Sequence, residues 1–244
     1  MISVLVNGAK GRMGMLAVEA VSSDSDFSLV GQTDKEDNLE EAIRTCKPQV
    51  VIDFTLAGLG HENFLKIINS GAQPVIGTSG FTGEQVSSLR KVCAEKKVGG
   101  IIVPNFAIGA VLLMKFAKEA AKYMPYAEII ESHHEKKKDA PSGTAVRTAE
   151  LIAEGREEAN LQTPKEQGEI NEFRGGEVKG VRIHSIRRTG VIAQEKVIFG
   201  DIGQTLSIEH DSSDRSSFSS GIRLAAKNIV GKKTLLYGLE EILF

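Results

Sequence analysis

A short, largely apolar run that ends in spaced glycines and passes into a helical pattern constrains the fold of this chain more than any other feature. Residues 2 to 6 are apolar apart from Ser3 and mostly β-branched; Asn7-Gly8-Ala9-Lys10-Gly11-Arg12-Met13-Gly14 follows, and then Leu16, Ala17, Val18 and Ala20 at helical spacing. Strand, glycine turn and helix, in that order, make a site where a backbone can approach a pyrophosphate without Cβ clashes. The helix start there adds N–H donors and a favourable dipole. The spacing is GxxGxxG, with Ala9 where the usual GxGxxG pattern has its first glycine. A tight strand-to-helix turn with no ligand is the competing reading.

The same alternation continues. Phe27 to Val30 is a second apolar segment, followed by Gly31-Gln32-Thr33-Asp34-Lys35. An acid about 20 residues beyond the glycines suits the adenosine ribose hydroxyls, and Asp34 fits; Lys35 is placed to meet a 2′-phosphate. Against this, Asp34 equally suits the turn of an acidic loop. Val50 to Thr55, Pro74 to Ile76 and Ile101 to Val103 read as buried strands, with helices over Leu59 to Ser70 and Gly83 to Lys97. Such alternation predicts an α/β fold, a Rossmann-type parallel sheet with helices on both faces. Ligands of such sheets bind beyond the carboxyl ends of the strands, where Phe54-Thr55, Gly77-Thr78-Ser79 and Pro104-Asn105-Phe106 fall.

After this the character changes. Gly109 to Tyr123 is an amphipathic helix, with Val111, Leu112, Met114, Phe116, Ala117 and Ala120 spaced for burial. Ala127 to Ser132 reads as a strand leading into Glu131-Ser-His-His-Glu-Lys-Lys-Lys-Asp-Ala-Pro-Ser-Gly-Thr144, and a helix then runs from Ser142 to about Gly155. A polar stretch to about Lys179 reads as a long loop. Val181 to Ser185, Val191 to Phe199 and Gln204 to His210 are strands, Ser217 to Val230 is a helix, and Leu235 to Phe244 is apolar enough to pack. The expected organisation is a dinucleotide-binding domain of residues 1–107 and 216–244. Inserted into it is an α+β, strand-rich domain, residues 108–215, for substrate binding and oligomerisation.

Residues 131 to 144 concentrate the chemistry. An imidazole exchanges protons near pH 7, a lysine donates a proton or holds a carboxylate, and a helix start with small residues forms an anion nest. A solvated charged loop is the bland reading, and it is kept for Lys136 and Lys138. A metal site is disfavoured because His133 and His134 alternate across a strand and three lysines repel a divalent cation; neither HExxH nor a thiolate cluster occurs. A Ser142, His133, Asp139 triad lacks the GxSxG elbow. His61 reads as structural, while His184 and His210 lie on predicted strands.

Hydrophobic residues at 41%, charged residues at 25% and a net charge of −2 fit a globular chain and argue against a broad nucleic-acid surface. Cys46 and Cys93 have no CxxC spacing, which fits a reducing cytoplasm. No targeting segment is read at the N-terminus, and no apolar run reaches membrane-spanning length.

Taken together, Gly8 to Gly14, Val51-Ile52-Asp53-Phe54-Thr55, Gly77-Thr78-Ser79-Gly80-Phe81, Pro104-Asn105-Phe106 and above all His133 to Thr144 closely resemble the 4-hydroxy-tetrahydrodipicolinate reductase (dihydrodipicolinate reductase) family. The likeness covers essentially the whole chain, including Ile183-His184-Ser185 and Val197 to Gly200. It implies an enzyme using NADH, NADPH or both to reduce a cyclic imine dicarboxylate with loss of water, in the diaminopimelate route to lysine. By motif match Gly8, Ala9, Lys10, Gly11, Arg12 and Met13 would hold the pyrophosphate, and Asp34 and Lys35 the ribose. Gly77, Thr78, Ser79, Val103, Pro104, Asn105 and Phe106 would line the nicotinamide side. His133 and Lys137 would be the catalytic proton groups, and His134, Gly143 and Thr144 would hold substrate carboxylate. A cytoplasmic homotetramer built through the strand-rich domain is implied, with no metal, nucleic-acid or membrane partner. Ser79, Ala107 and Arg188-Thr189 depart from the family's common residues. The rivals are a dinucleotide-sensing protein without chemistry, which has no need of His133 and Lys137 beside an anion nest, and a different small-molecule dehydrogenase.

Overall fold

The computed structural model describes residues 1–164 and 172–244. The described residues form two compact units, Met1–Ile108 with Ser216–Phe244, and Gly109–Arg215.

The first unit is built on β1 (Ile2–Asn7), β2 (Phe27–Thr33), β3 (Val50–Asp53), β4 (Gln73–Ile76), β5 (Gly100–Ile102) and β11 (Leu235–Tyr237). They form one sheet in the order β11-β5-β4-β3-β1-β2, every neighbouring pair parallel. Parallel strands are buried on both faces and so read as apolar runs. Leu5, Val51, Ile76, Ile102 and Leu235 pack on one side with residues of α2 (Leu39–Cys46), α3 (Gly60–Asn69) and α4 (Gly83–Lys96), Phe64 and Ile67 among them. On the other side lie α1 (Arg12–Ser22) and α7 (Ser219–Ile229), which contact each other and bury Ala17, Val21, Ile222 and Ala225. Each fully buried valine, leucine or isoleucine here contributes about 1.5–3 kcal/mol.

The predicted parallel sheet is present, with several differences in detail. β2 extends through Gly31 and Gln32 to Thr33, because pairing with Leu5, Val6 and Asn7 carries the strand past the apolar run. The acidic stretch after it contains α2, which Asn38 caps by accepting from the Glu41 N–H. Its polar composition hides two buried positions, Leu39 and Ile43. The tail supplies β11 and a single turn, α8 (Glu240–Leu243), in the first unit.

The second unit holds β6 (Tyr126–His133), β7 (Gly176–Val178), β8 (Val181–Arg187), β9 (Ala193–Asp201) and β10 (Gln204–Ser212) in the order β10-β9-β6-β8-β7. Only β6 and β8 run parallel. α5 (Ile108–Ala121) and α6 (Gly143–Glu158) approach closely at Gly155, where a Cβ would stand 2.3 Å from the Lys118 carbonyl oxygen. Within α5, Val111, Leu113, Met114 and Ala117 are buried, whereas Phe116, expected inside, is 51% exposed and Leu112 is half-buried. The buried face is therefore rotated by about one residue from the expected one. α6 runs one turn beyond Gly155 to Glu158. Of the expected loop up to Lys179, residues 165–171 lie outside the described residues; the described remainder includes a 3-10 turn, Glu172–Arg174, and β7. Among the described residues no helix is long and apolar enough to cross a membrane.

Candidate active site

In the first unit the strand order reverses at β1, which has β2 on one side and β3 on the other. Connections leaving such neighbours diverge and open a crevice at the carboxyl ends. Those ends are joined by a polar row: Thr33 Oγ1 donates to Asn7 Oδ1 (2.8 Å), and Asn7 Nδ2 donates to Asp53 Oδ2 (2.7 Å). Asp53 is fully buried and also accepts from Asn63 Nδ2, Thr55 Oγ1 and Thr78 Oγ1, each at 2.8 Å. It ties β3, α3 and the turn after β4 into one rim. Sequence reading singled out neither Asp53 nor Asn63 for a role, since their partnership depends on a helix and a strand meeting.

Above the row lies a groove of about 640 Å³ whose lining includes Gly8, Gly11, Asp34, Lys35, Phe54 and Thr55. Gly8 has φ +79°, and a Cβ there would sit 2.7 Å from the Phe54 carbonyl oxygen; a Cβ on Gly14 would lie 1.9 Å from the Gly8 carbonyl oxygen. Only glycine lets the turn fold back onto α1 so closely. Gly11 begins α1 without a side-chain cap, and no acid occupies the first turn, so the dipole there is uncompensated by protein. Ala9 is buried, Lys10 and Arg12 are exposed, and Met13 is half-buried. Asp34 follows β2 directly and accepts from the Lys35 and Lys10 N–H groups, both at 2.9 Å; these hold its carboxyl below the usual range. The turn reading of Asp34 is thus present, and a carboxylate that accepts two such bonds keeps further lone pairs at the groove it lines. Lys35 is exposed and, among the described residues, pairs with exposed Glu36 alone (3.4 Å).

Gly77, Thr78 and Ser79 follow β4, and Val103, Pro104, Asn105 and Phe106 follow β5. A Cβ on Gly77 would stand 2.1 Å from the Phe54 ring. That ring packs against Phe106 at 5.3 Å. Val103, Phe106 and Thr78 are buried, so what they offer a ligand is backbone, while Ser79 and Pro104 are exposed. The open glycine turn, the uncapped helix start and the groove with its acid fit a dinucleotide.

The second unit carries the other predicted group. β6 ends at His133, and the loop to α6 contains His134, Lys137 and Asp139. His133 Nδ1 lies 2.5 Å from Glu131 Oε2. Glu131 has no exposed surface and is gripped from β8 by Arg187, whose Nη1 and Nη2 donate to Oε2 (2.9 Å) and Oε1 (2.8 Å). Burial alone would raise its pKa; hydrogen bonds from His133, Arg187 and Ser185 overcome this and hold the carboxyl at about 2. An ionised carboxylate only accepts, so the His133 Nδ1 carries the hydrogen. Lys137 is half-buried and donates to Asp139 Oδ2 (2.8 Å), while Lys136 and Lys138 are exposed. Ser142 caps α6 through the Ala145 N–H (3.2 Å), and at Gly143 the space a Cβ would take is empty. Thr144 follows, half-buried, in the first turn.

The remaining histidines separate. His184 Nε2 meets Glu128 Oε2 at 2.8 Å, on the opposite sheet face from His133 by strand alternation. His210 packs its ring against Gly109, and burial pushes its pKa down. His61 is half-buried in α3. Glu131 and Arg187, which sequence reading gave no role, contact this loop's histidine and each other; the local sign was Glu131 spaced two from His133, which puts both on one strand face.

A reversed parallel sheet with a glycine-turn groove, accompanied by a mixed-sheet unit bearing an acid–base loop, defines a two-unit, dinucleotide-dependent oxidoreductase. Family models for dihydrodipicolinate reductase match residues 2–106 (N-terminus) and 109–243 (C-terminus). The 4-hydroxy-tetrahydrodipicolinate reductase of Legionella pneumophila (strain Paris) is 46% identical with 98% of each chain covered, and that of Enterococcus faecalis 45% identical with 100% of each covered. A dipicolinate-bound dihydrodipicolinate reductase from Paenisporosarcina sp. TG-14 superposes with a TM-score of 0.89 at 39% identity, covering both chains in full. This chain belongs to the dihydrodipicolinate reductase family.

Proposed function

We propose that this chain reduces (2S,4S)-4-hydroxy-2,3,4,5-tetrahydrodipicolinate to 2,3,4,5-tetrahydrodipicolinate with NADH or NADPH, in the diaminopimelate route to lysine. One hydride and one proton enter and one water leaves. The observation carrying the division of roles is a single loop that joins a carboxylate-anchored imidazole, a half-buried lysine and an uncrowded helix start. Residues 1–107 and 216–244 serve as the dinucleotide-binding domain, and 108–215 bind substrate and mediate assembly.

The nicotinamide cofactor supplies the hydride when bound. Gly8, Ala9, Lys10, Gly11, Arg12 and Met13 hold its pyrophosphate: the N–H groups of the first four are turned inward to Thr33, Asp34 and Gly8 and shape the turn, while the first-turn N–H groups of Arg12 and Met13 and the α1 dipole face the anion. Asp34 accepts from the ribose hydroxyls, and Lys35 meets a 2′-phosphate when one is present. Gly77, Thr78, Ser79, Val103, Pro104, Asn105 and Phe106 shape the nicotinamide end. Hydride arrival leaves negative charge on the ring that an acid must quench; His133 and Lys137 handle that proton. His134, Gly143 and Thr144 hold a substrate carboxylate at the start of α6.

A cytoplasmic homotetramer belongs to the same proposal. The sheet face of the second unit opposite Glu131 carries Tyr126, 59% exposed, and Ile186, 42% exposed, which supports assembly there. The deciding assay follows NADH and NADPH absorbance with substrate freshly made from pyruvate and aspartate semialdehyde by the preceding synthase. Substrate-dependent oxidation of at least one cofactor is expected; none with either overturns the proposal.

A further inference from the structure

Glu131 does more than neutralise a neighbour. Its Oε2 takes His133 Nδ1, its Oε1 accepts the Ser142 N–H at the cap of α6 (3.3 Å), and both oxygens take the Arg187 guanidinium. Arg187 Nη2 also donates to the Asp139 carbonyl (2.7 Å), and Asp139 in turn holds Lys137. One buried carboxylate and its arginine therefore touch the proton group on β6, the lysine loop and the helix start. His133 Nε2 has no protein partner among the described residues, so Nδ1 is the committed nitrogen and Nε2 the available one.

We infer that Glu131, clamped by Arg187, is the positioning residue of this site: it fixes the His133 imidazole in the Nδ1–H tautomer with Nε2 available, and holds the Lys137 loop and the α6 start in register with it. The inference rests on the proton role given to His133 above. A carboxylate whose only duty was structural would gain from Arg187 alone. Spending its second lone pairs on an imidazole and a helix cap couples three parts of one site. The arrangement also explains why an acid sits fully buried on a strand: paired with Arg187 and fully hydrogen-bonded, the charge is tolerable there.

The test uses the full chain. Nitrogen-15 NMR of histidine-labelled wild type at pH 8 reads the His133 tautomer without any substitution; Nδ1–H is expected. In kinetics, Glu131→Gln should lower kcat by about 10²-fold with KM within about threefold, and Glu131→Asp, keeping the charge, should recover at least tenfold of that. In the His133→Ala background, Glu131→Gln should cost clearly less than in wild type, because the share that acts through the ring is gone and only its hold on the Lys137 loop and the α6 start remains. A Nε2–H tautomer in the folded wild type overturns the proposal even if Glu131→Gln fails to fold. So does an undiminished loss in the His133→Ala background. Full turnover in His133→Ala alone overturns instead the proton role on which the inference rests.

Discussion

Glu195 on β9 stands directly opposite Glu131 on β6, and the two carboxyls are driven in opposite directions. Both are buried on the same face of the mixed sheet. Glu131 has Arg187 and His133; Glu195 meets the Thr148 hydroxyl, and among the described residues its Oε1 has no partner. Burial, and then the charge of Glu131, push the Glu195 carboxyl up to about 7 despite the Thr148 bond. Two facing acids cannot both ionise cheaply in a dry site, so the arginine decides which one does.

Glu195→Gln mimics the protonated acid, so it should separate from wild type only as pH rises. The folded chain binds this proton more tightly than the unfolded chain. The stabilisation is complete below about pH 4.5 and is lost as pH climbs through 7, an effect on the order of 3 kcal/mol. Thermal midpoints from pH 5 to 8 should show the variant gaining steadily on wild type; parallel curves would show that the acid is not protonated in the fold.

His133→Ala and Lys137→Ala should each lower kcat by about 10²-fold or more while cofactor affinity stays near that of wild type, as lost acid catalysis requires. Steady-state kinetics with a fluorescence titration of NADH reads both quantities. Full turnover in both variants would refute the role assignments while leaving the family intact.

Gly14→Ala places a methyl where the Gly8 carbonyl oxygen now stands, 1.9 Å away. The turn must open, and dinucleotide affinity should fall at least about tenfold, with stability lower by roughly 1–3 kcal/mol. Isothermal titration and chemical denaturation measure the two losses; unchanged affinity would place the pyrophosphate elsewhere.

Asp34→Ala should raise KM for NADH by about tenfold and for NADPH by less, since it removes the proposed ribose acceptor and also frees the Lys10 N–H. Lys35→Ala should raise KM for NADPH and leave NADH unchanged, because its present partner is only an exposed glutamate. Equal effects of Lys35→Ala on both cofactors would rule out the 2′-phosphate contact.

Much of the first unit was legible because its signals are local. An apolar run followed by Gly8, Gly11 and Gly14 specifies a strand, a tight turn and a helix from steric limits alone. Ser142 ahead of small residues announced the start of α6 in the same way. What failed locally was α2, where Leu39 and Ile43 are too few among charges to reveal an amphipathic turn, and the facing of α5, where Phe116 has the composition of a core residue but lies on the exposed side.

The sequence by itself determined the alternating strands and helices, the glycine turn, and the placing of His133, Lys137 and Gly143 in one short stretch. Those follow from periodicity and backbone sterics, which act over a few residues. Only the tertiary structure decided which distant groups meet: Arg187 reaches Glu131 across 56 residues because β6 and β8 pair in parallel, and Glu195 faces it because β9 pairs antiparallel on the other side. Period-two alternation assigns a side chain to a face but does not say which strand lies next to it or in what register. In this protein that register separates a glutamate held at about 2 from one pushed up to about 7, and so determines how His133 is held.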